Sequence, residues 1–590
     1  MLAVSEYSIT VFASAMNFWR VFLQSLVVTT MTLLPIAADA RVSFAGLSDE
    51  LEKNARALMG IAAVPCDTPE WRVRRLYRDA DIQLRSALEA LGYYRYELAK
   101  SLALDAEDCW QADFNVTLGE PVRIRDVLIA VDGEASTDTG LDTRPELRPQ
   151  VGSVLNHGHY ETYKKTLISN LSSRGYFVAE LLESRVTVSE SLQHADIELR
   201  ALSGPRYYFG DVSFSQPILT PKLLAGYVKF KKGDPYDSKA VSKLHELLSG
   251  SGYFASVSIQ AEPTAEGGLE VPVNVTLSSG KRRVFTSGAG YATDLGIQGR
   301  LGYTNRRRNQ RGHQFDTRLF LSSVDSEITA DYRWPRGRPD SEWVDLYGGF
   351  LRKRTDTSES DKQTFGARVT RNRTEKWLES PYLELMREDF EVGDQLDVSR
   401  LLTPGIKWET TIGRTLRRQP DGHRINIDFR GSLENVLSDT TFFQASASAK
   451  WIKTVGATRL LARADVGSTI KQSLDELPAT VRFFAGGDTS VRGYDYETIG
   501  PVDLDGNVIG GSHKVVLSLE ADWEVRDNWA VAIFVDSGSA FNDSDFDMNT
   551  GIGLGLRWYS PLGPIRVDIA HPLDDPTSDY RFHITLGPDL

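Results

Sequence analysis

The sequence predicts three α+β repeats followed by an antiparallel transmembrane β-barrel of about 16 strands. Three observations carry this reading. A Gly-Tyr-aromatic core recurs three times in the first half, each time behind a helical pattern. The helical signal ends after Lys281 and gives way to alternating segments of about ten residues. An export signal opens the chain.

The export signal comes first. Arg20 precedes an apolar stretch over residues 21–37, and Ala38-Asp39-Ala40 has the form of an A-x-A cleavage site. Thr29, Thr30, Thr32 and Pro35 interrupt the stretch, which disfavours a permanent helical span. Residues 1–40 therefore read as a signal peptide, with Met16 as an alternative start. In an oxidising compartment Cys66 and Cys109 read as a disulfide; two buried free thiols are the other reading. A formal charge of −13, with no strongly basic stretch, argues against a nucleic-acid partner. No later segment resembles a membrane helix, so the chain is either soluble or crosses lipid as a closed barrel, which satisfies its own backbone.

The repeats follow. Leu91-Gly92-Tyr93-Tyr94, Arg174-Gly175-Tyr176-Phe177 and Ser251-Gly252-Tyr253-Phe254 share one core. Helical spacing precedes each: Ile82, Leu84, Leu88 and Leu91; Tyr163, Leu167, Ile168 and Leu171; Val241, Leu244, Leu247 and Leu248. The glycine fits the position just past a helix C-terminus, where positive φ is needed. An alternating strand and a glycine close each unit, so the expected unit is strand, two helices, two strands. The expected boundaries are residues 41–119, 120–204 and 205–280, with the barrel over 281–590. Such units offer a sheet edge to an extended peptide; a rigid spacer array is the blander alternative.

In the barrel region, Val515, Leu517, Leu519, Ala521, Trp523 and Val525 share one face of a strand, and Ser518, Glu520, Asp522 and Glu524 the other. Full charges on the polar face suit a wet lumen. Tryptophans near the strand ends (Trp334, Trp343, Trp377, Trp408, Trp451, Trp523, Trp529 and Trp558) suit interfacial girdles. About 310 residues at roughly 19 per strand give the strand number.

Three late features are specific. Phe483-Phe484-Ala485-Gly486-Gly487 leads into Val491-Arg492-Gly493-Tyr494; Phe534-Val535-Asp536 lies on a later strand; the chain closes with an aromatic strand from Arg581 through Phe582 to Gly587-Pro588-Asp589-Leu590. Together they resemble the BamA/TamA family of outer-membrane assembly proteins, and the repeats resemble POTRA domains. The resemblance implies that the V-R-G-[FY] motif sits on the sixth extracellular loop and folds back into the lumen. Three repeats and an L-G-P-D-L ending are similar to the TamA branch. That branch implies a TamB-like inner-membrane and periplasmic partner, clients among autotransporters and other barrel proteins, and contact with outer-membrane lipid. A protein-export pore of the two-partner-secretion type is the alternative, and a passive channel the third.

Two expectations about sites follow. Arg492 should pair with lumen-facing Glu520 and Asp536, which match the family's acidic partners, and with Asp568 as a third candidate. The join between the first and last strands should be weak: Gly288 and Gly290 thin the first, while Phe582, Gly587 and Pro588 belong to the last. No nucleophile elbow or phosphate loop occurs, so neither an enzyme nor a cofactor is expected. His157 and His159 form an H-x-H without a third ligand nearby, so no metal is expected there either.

Overall fold

The computed structural model describes residues 41–590 apart from 105–108, 139, 142–144, 217, 265–267, 357, 375, 414–417, 472, 543–545, 561–562, 575–578 and 587–590. The signal peptide, Gly587 and Pro588 thus lie outside the described residues. The chain divides into two compact units between Tyr207 and Tyr208.

The first unit holds two repeats. In the first, β1 (Arg41–Ala45), α1 (Asp49–Leu58), α2 (Glu70–Glu89), β2 (Tyr96–Ala103) and β3 (Gln111–Leu118) follow in order. The sheet order is β1-β3-β2, with β1 parallel and β2 antiparallel to β3. Burial of Val73, Ala80, Leu84, Ala87 and Leu88 fixes the inner stripe of α2. Ile82, expected in that stripe, is 70% exposed; at 3.6 residues per turn it falls opposite Leu84 and Leu88. Gly92 closes α2 with φ +87°. Its N–H donates to Glu89 O and that of Tyr93 to Leu88 O, the paired bonds of a Schellman cap. Cys66 and Cys109 are bonded, with Cα atoms 4.9 Å apart and a sequence separation of 43, worth about 4 kcal/mol in the chain-entropy model.

The second repeat has β4 (Arg123–Asp132), α3 (His157–Ser173), β5 (Glu180–Val188) and β6 (His194–Leu202). Two short 3₁₀ turns, Glu134–Thr137 and Pro145–Leu147, stand where a first helix was expected. Gly133, Gly140, Pro145 and Pro149 punctuate that stretch too often for an α-helix to propagate. His157 bonds the Tyr94 hydroxyl of the first repeat at 2.8 Å, and the His159 N–H is capped by Asn156. The H-x-H thus serves the helix start and the contact between repeats.

The second unit begins with the third repeat: β7 (Tyr208–Ser215), α4 (Pro221–Ala225), α5 (Ser238–Gly250), β8 (Phe254–Ala261) and β9 (Glu270–Ser279). Its motif tyrosine, Tyr253, donates to Gly312 O in a barrel turn at 2.5 Å, and Lys229 pairs with Asp340 in another at 2.6 Å. These contacts define a near rim of the barrel.

Sixteen antiparallel strands, from β10 (Arg283–Ala292) to β25 (Arg581–Leu586), form a closed barrel. Alternation holds throughout: Leu517 and Leu519 are exposed outward, whereas Asp522 and Asp536 are fully buried within. Strand direction alternates from β10, which leaves the near rim. Lipid-facing Trp334, Trp408, Trp451, Trp523, Trp529 and Trp558 all therefore stand at the near rim. Tryptophans at strand ends were expected, and among the described residues the lipid-facing ones form a single girdle, with Trp529 and Trp558 stacked at 5.5 Å.

Candidate functional site

The eleventh and twelfth barrel strands, β20 (Thr458–Lys471) and β21 (His513–Arg526), are joined at the far rim by the longest connection between barrel strands. This connection turns into the lumen. Its apolar residues Ala485, Val491 and Ile499 pack on Val516 and Ala540 of the wall. A second cationic anchor, Arg482, donates to Leu477 O at 2.9 Å and to Gln395 Oε1 at 2.8 Å.

Arg492 sits at the centre. Its Nε and Nη2 donate to the two carboxylate oxygens of Asp536 at 2.6 and 3.0 Å, a bidentate fork. Nη1 donates to Glu520 at 2.8 Å and to Asp568 at 3.1 Å. The guanidinium carbon lies 3.4 Å from the ring centroid of Phe534, a cation–π seat below the ion pairs. All three candidate carboxylates thus meet on one arginine, with Asp568 a full member of the set. Arg557 completes the cluster by bonding Glu520 at 2.8 Å and reaching Asp568. Two arginines against three acids leave a compact network with little uncompensated charge. Nothing beside Arg557 in the sequence marks it as a member of the cluster, because its partners stand on other strands.

The wall opposite the loop is cut back to receive it. On β23 (Asn549–Ser560), an added Cβ at Gly551 would lie 1.9 Å from Arg492 O. One at Gly553 would strike the Phe534 ring at 2.3 Å, and one at Gly555 would strike Asp568 at 2.0 Å. This stripe of glycine is a seat. Gly551→Val is expected to push the loop off the wall at a cost of about 1–3 kcal/mol, read as protease cleavage within the loop while the barrel stays intact.

Three further residues escaped the sequence reading. Gly493 N–H donates to His583 Nε2 at 2.9 Å, and His583 Nδ1 bonds Asp488. The Asp488 N–H donates to the Asp294 carboxylate at 2.6 Å, and the Asp294 N–H donates to the Asp488 carboxylate at 3.2 Å. The donor atoms of Asp294, Asp488 and His583 lie within 4.8 Å of one another, close enough for a cation. The imidazole offers it nothing. Its Nε2 lone pair is taken by Gly493, so Nδ1 carries the proton donated to Asp488.

Among the described residues, the join between first and last strands is the thinnest in the barrel. Strands β10 and β11 (Gly296–Asn305) share ten register pairs, from Arg283↔Asn305 to Ala292↔Gly296. Among the described residues β10 and β25 share one, Ala292↔Thr585. Beside it, Thr293 N–H donates to Ile584 O at 3.2 Å. Gly288 and Gly290 stand in nearly open space, with no atom nearer than 3.9 Å to an added Cβ. Phe582 faces outward, 59% exposed.

Comparison with known proteins follows this geometry. Residues 268–589 match the Omp85 superfamily domain. The chain belongs to the Omp85 superfamily. Residues 41–118 match a POTRA domain described as TamA domain 1, and residues 207–280 match a POTRA model described as a surface antigen variable number repeat. Two outer membrane protein assembly factors named BamA are 21% identical. That of Nitratidesulfovibrio vulgaris aligns over 72% of this chain and 57% of its own length, and that of Neisseria meningitidis serogroup B over 84% and 70%. The chain thus spans little more than half the length of the first of these relatives. The crystal structure of Haemophilus ducreyi BamA lacking POTRA domains 1–3 superposes with a TM-score of 0.64 at 17% identity, covering 79% of this chain and 99% of that one. As an Omp85 protein with POTRA repeats, the chain stands in the outer membrane, repeats in the periplasm. The near rim is periplasmic and the far rim faces outward.

Proposed function

We propose that the chain inserts other β-barrel proteins into the outer membrane through the join of β10 and β25. The observation that carries this is the single register pair between those strands among the described residues, in a barrel whose other neighbours share six or more. Closed barrels abolish edges; this one keeps a latent edge on β10. Each unmade ladder bond costs about 1 kcal/mol net in water and more in lipid. A client strand that pairs with β10 recovers those bonds, so opening needs no nucleotide. The relatives named as assembly factors support the same reading.

A finer assignment is to the TamA branch, with a TamB-like periplasmic partner and autotransporters among the clients. The match of the first repeat to a TamA-type POTRA model and the presence of three repeats support it. The repeats present edge strands in the periplasm, where an extended client can add to a sheet before it reaches the barrel.

Deleting the protein and profiling the outer-membrane proteome tests the proposal. Selective loss of inserted barrels is expected. Loss of one extracellular protein, with all barrels at normal levels, would instead make the chain a dedicated export pore.

A further inference from the structure

Loop residue Asp488 lies between the two strands that flank the join. On one side its carboxylate accepts from the backbone N–H of Asp294, in the outward turn that follows β10, and its own N–H donates to the Asp294 carboxylate. On the other, its carboxylate holds His583 of β25. We propose that Asp294, Asp488 and His583 form a proton-holding catch that closes the join at its outer end, and that its release precedes opening. The inference rests on the reading of the join as the working part, and deepens it.

The geometry is specific. An added Cβ at Gly487 would lie 2.4 Å from the Asp294 carboxylate, so glycine is required beside the catch. Gly493, one residue beyond Arg492, fixes the imidazole tautomer. The catch is thereby continuous with the Arg492 cluster, and loop seating and strand closure are one structure. It also outnumbers the ladder beside it: Asp294, His583 and Gly493 all bond through it, against a single register pair between strands among the described residues.

The proton follows from charge. The titratable and charged groups facing Asp294 are Asp488, His583 and Arg581, with Tyr496 nearby. His583 is neutral in this bonding pattern, and Arg581 is engaged with Asp495. The two carboxylates therefore lie close together without a cation in contact with Asp294, a situation that favours keeping Asp294 protonated. Burial, and then the Asp488 charge, push the Asp294 carboxyl up to about 7. When the catch parts, Asp294 returns toward the ordinary carboxylate range. The open form then binds fewer protons between roughly pH 4 and pH 7, so opening is favoured as pH rises through that window and levels off above it.

The test is a distance measurement on the full chain in lipid nanodiscs. Nitroxides are attached at Tyr291→Cys and Phe582→Cys, outward positions on either side of the join; the native cysteines are bonded and do not label. The expected result is one short distance at pH 5 and a growing longer population toward pH 7.5. The closed-to-open ratio should fall by up to about tenfold per pH unit. Asp294→Asn, which copies the protonated acid, should hold the short distance at both values. Asp488→Ala and His583→Ala should show the long distance at both. A wild-type distribution that ignores pH, an Asp294→Asn variant that tracks the wild-type profile, or an Asp488→Ala variant that stays closed would each overturn the catch. If the catch fails while a covalently locked join still stops client insertion, the assembly reading stands without it.

Discussion

Replacing Arg492 by alanine is expected to release the far-rim loop from the lumen wall and to abolish assembly activity in a barrel that still forms. The substitution removes the four hydrogen bonds of the guanidinium, strips Asp536 of its bidentate partner and leaves Glu520 and Asp568 bonded to Arg557. Breaking a buried ion pair by removing one partner costs roughly 3–5 kcal/mol, because the remaining charges lose their compensation. A lumen that admits water to the freed carboxylates moves the cost toward the lower figure. Lysine should not rescue the loss. An ammonium is a point charge, and it cannot fork onto Asp536 while reaching Glu520 and stacking on Phe534. The measurement is cleavage of the loop by an external protease in membranes, beside the heat-shifted gel mobility of the folded barrel. Rapid cleavage with unchanged barrel mobility is expected; a protected loop in Arg492→Ala would show that apolar packing around Val491 is sufficient.

Much of this was legible in the sequence because strands alternate strictly. Glu520 and Asp536 could be placed in the lumen by counting parity along Val515–Val525 and Phe534–Asp536, and both meet Arg492. The glycines after the repeat helices were legible for a similar reason. The φ values of +87°, +93° and +76° at Gly92, Gly175 and Gly252 answer a local steric demand that the chain states locally.

What stayed hidden depended on contacts distant in sequence. Asp294, Asp488 and His583 come from a hairpin turn, a loop and the last strand, and nothing in their own neighbourhoods marks them. Arg557 shares this property. The first helix of the second repeat is absent for a local reason: glycines and prolines interrupt the stretch that the repeat pattern assigns to it. Ile82 failed because an apolar residue at helical spacing was assigned to the core when Leu84 and Leu88 already filled that face. The tryptophans were correctly given to strand ends, but which end depends on strand direction, and that needs the full strand count.

The largest expected effect belongs to the join of β10 and β25. Ala292 and Thr585 are direct ladder partners, so cysteines there can be bridged with little backbone movement. A bridge adds a covalent tie where one register pair stands among the described residues, and it removes the latent edge of β10 without touching the Arg492 cluster. Client insertion should fall to background, and reduction should restore it.

Purified Ala292→Cys/Thr585→Cys protein in liposomes, given an unfolded barrel client, provides the decisive comparison. Protease-protected client should accumulate in the reduced sample and be absent from the oxidised one. Equal insertion with the bridge fully formed would contradict the account, since the client would then have entered the membrane without the first and last strands ever parting.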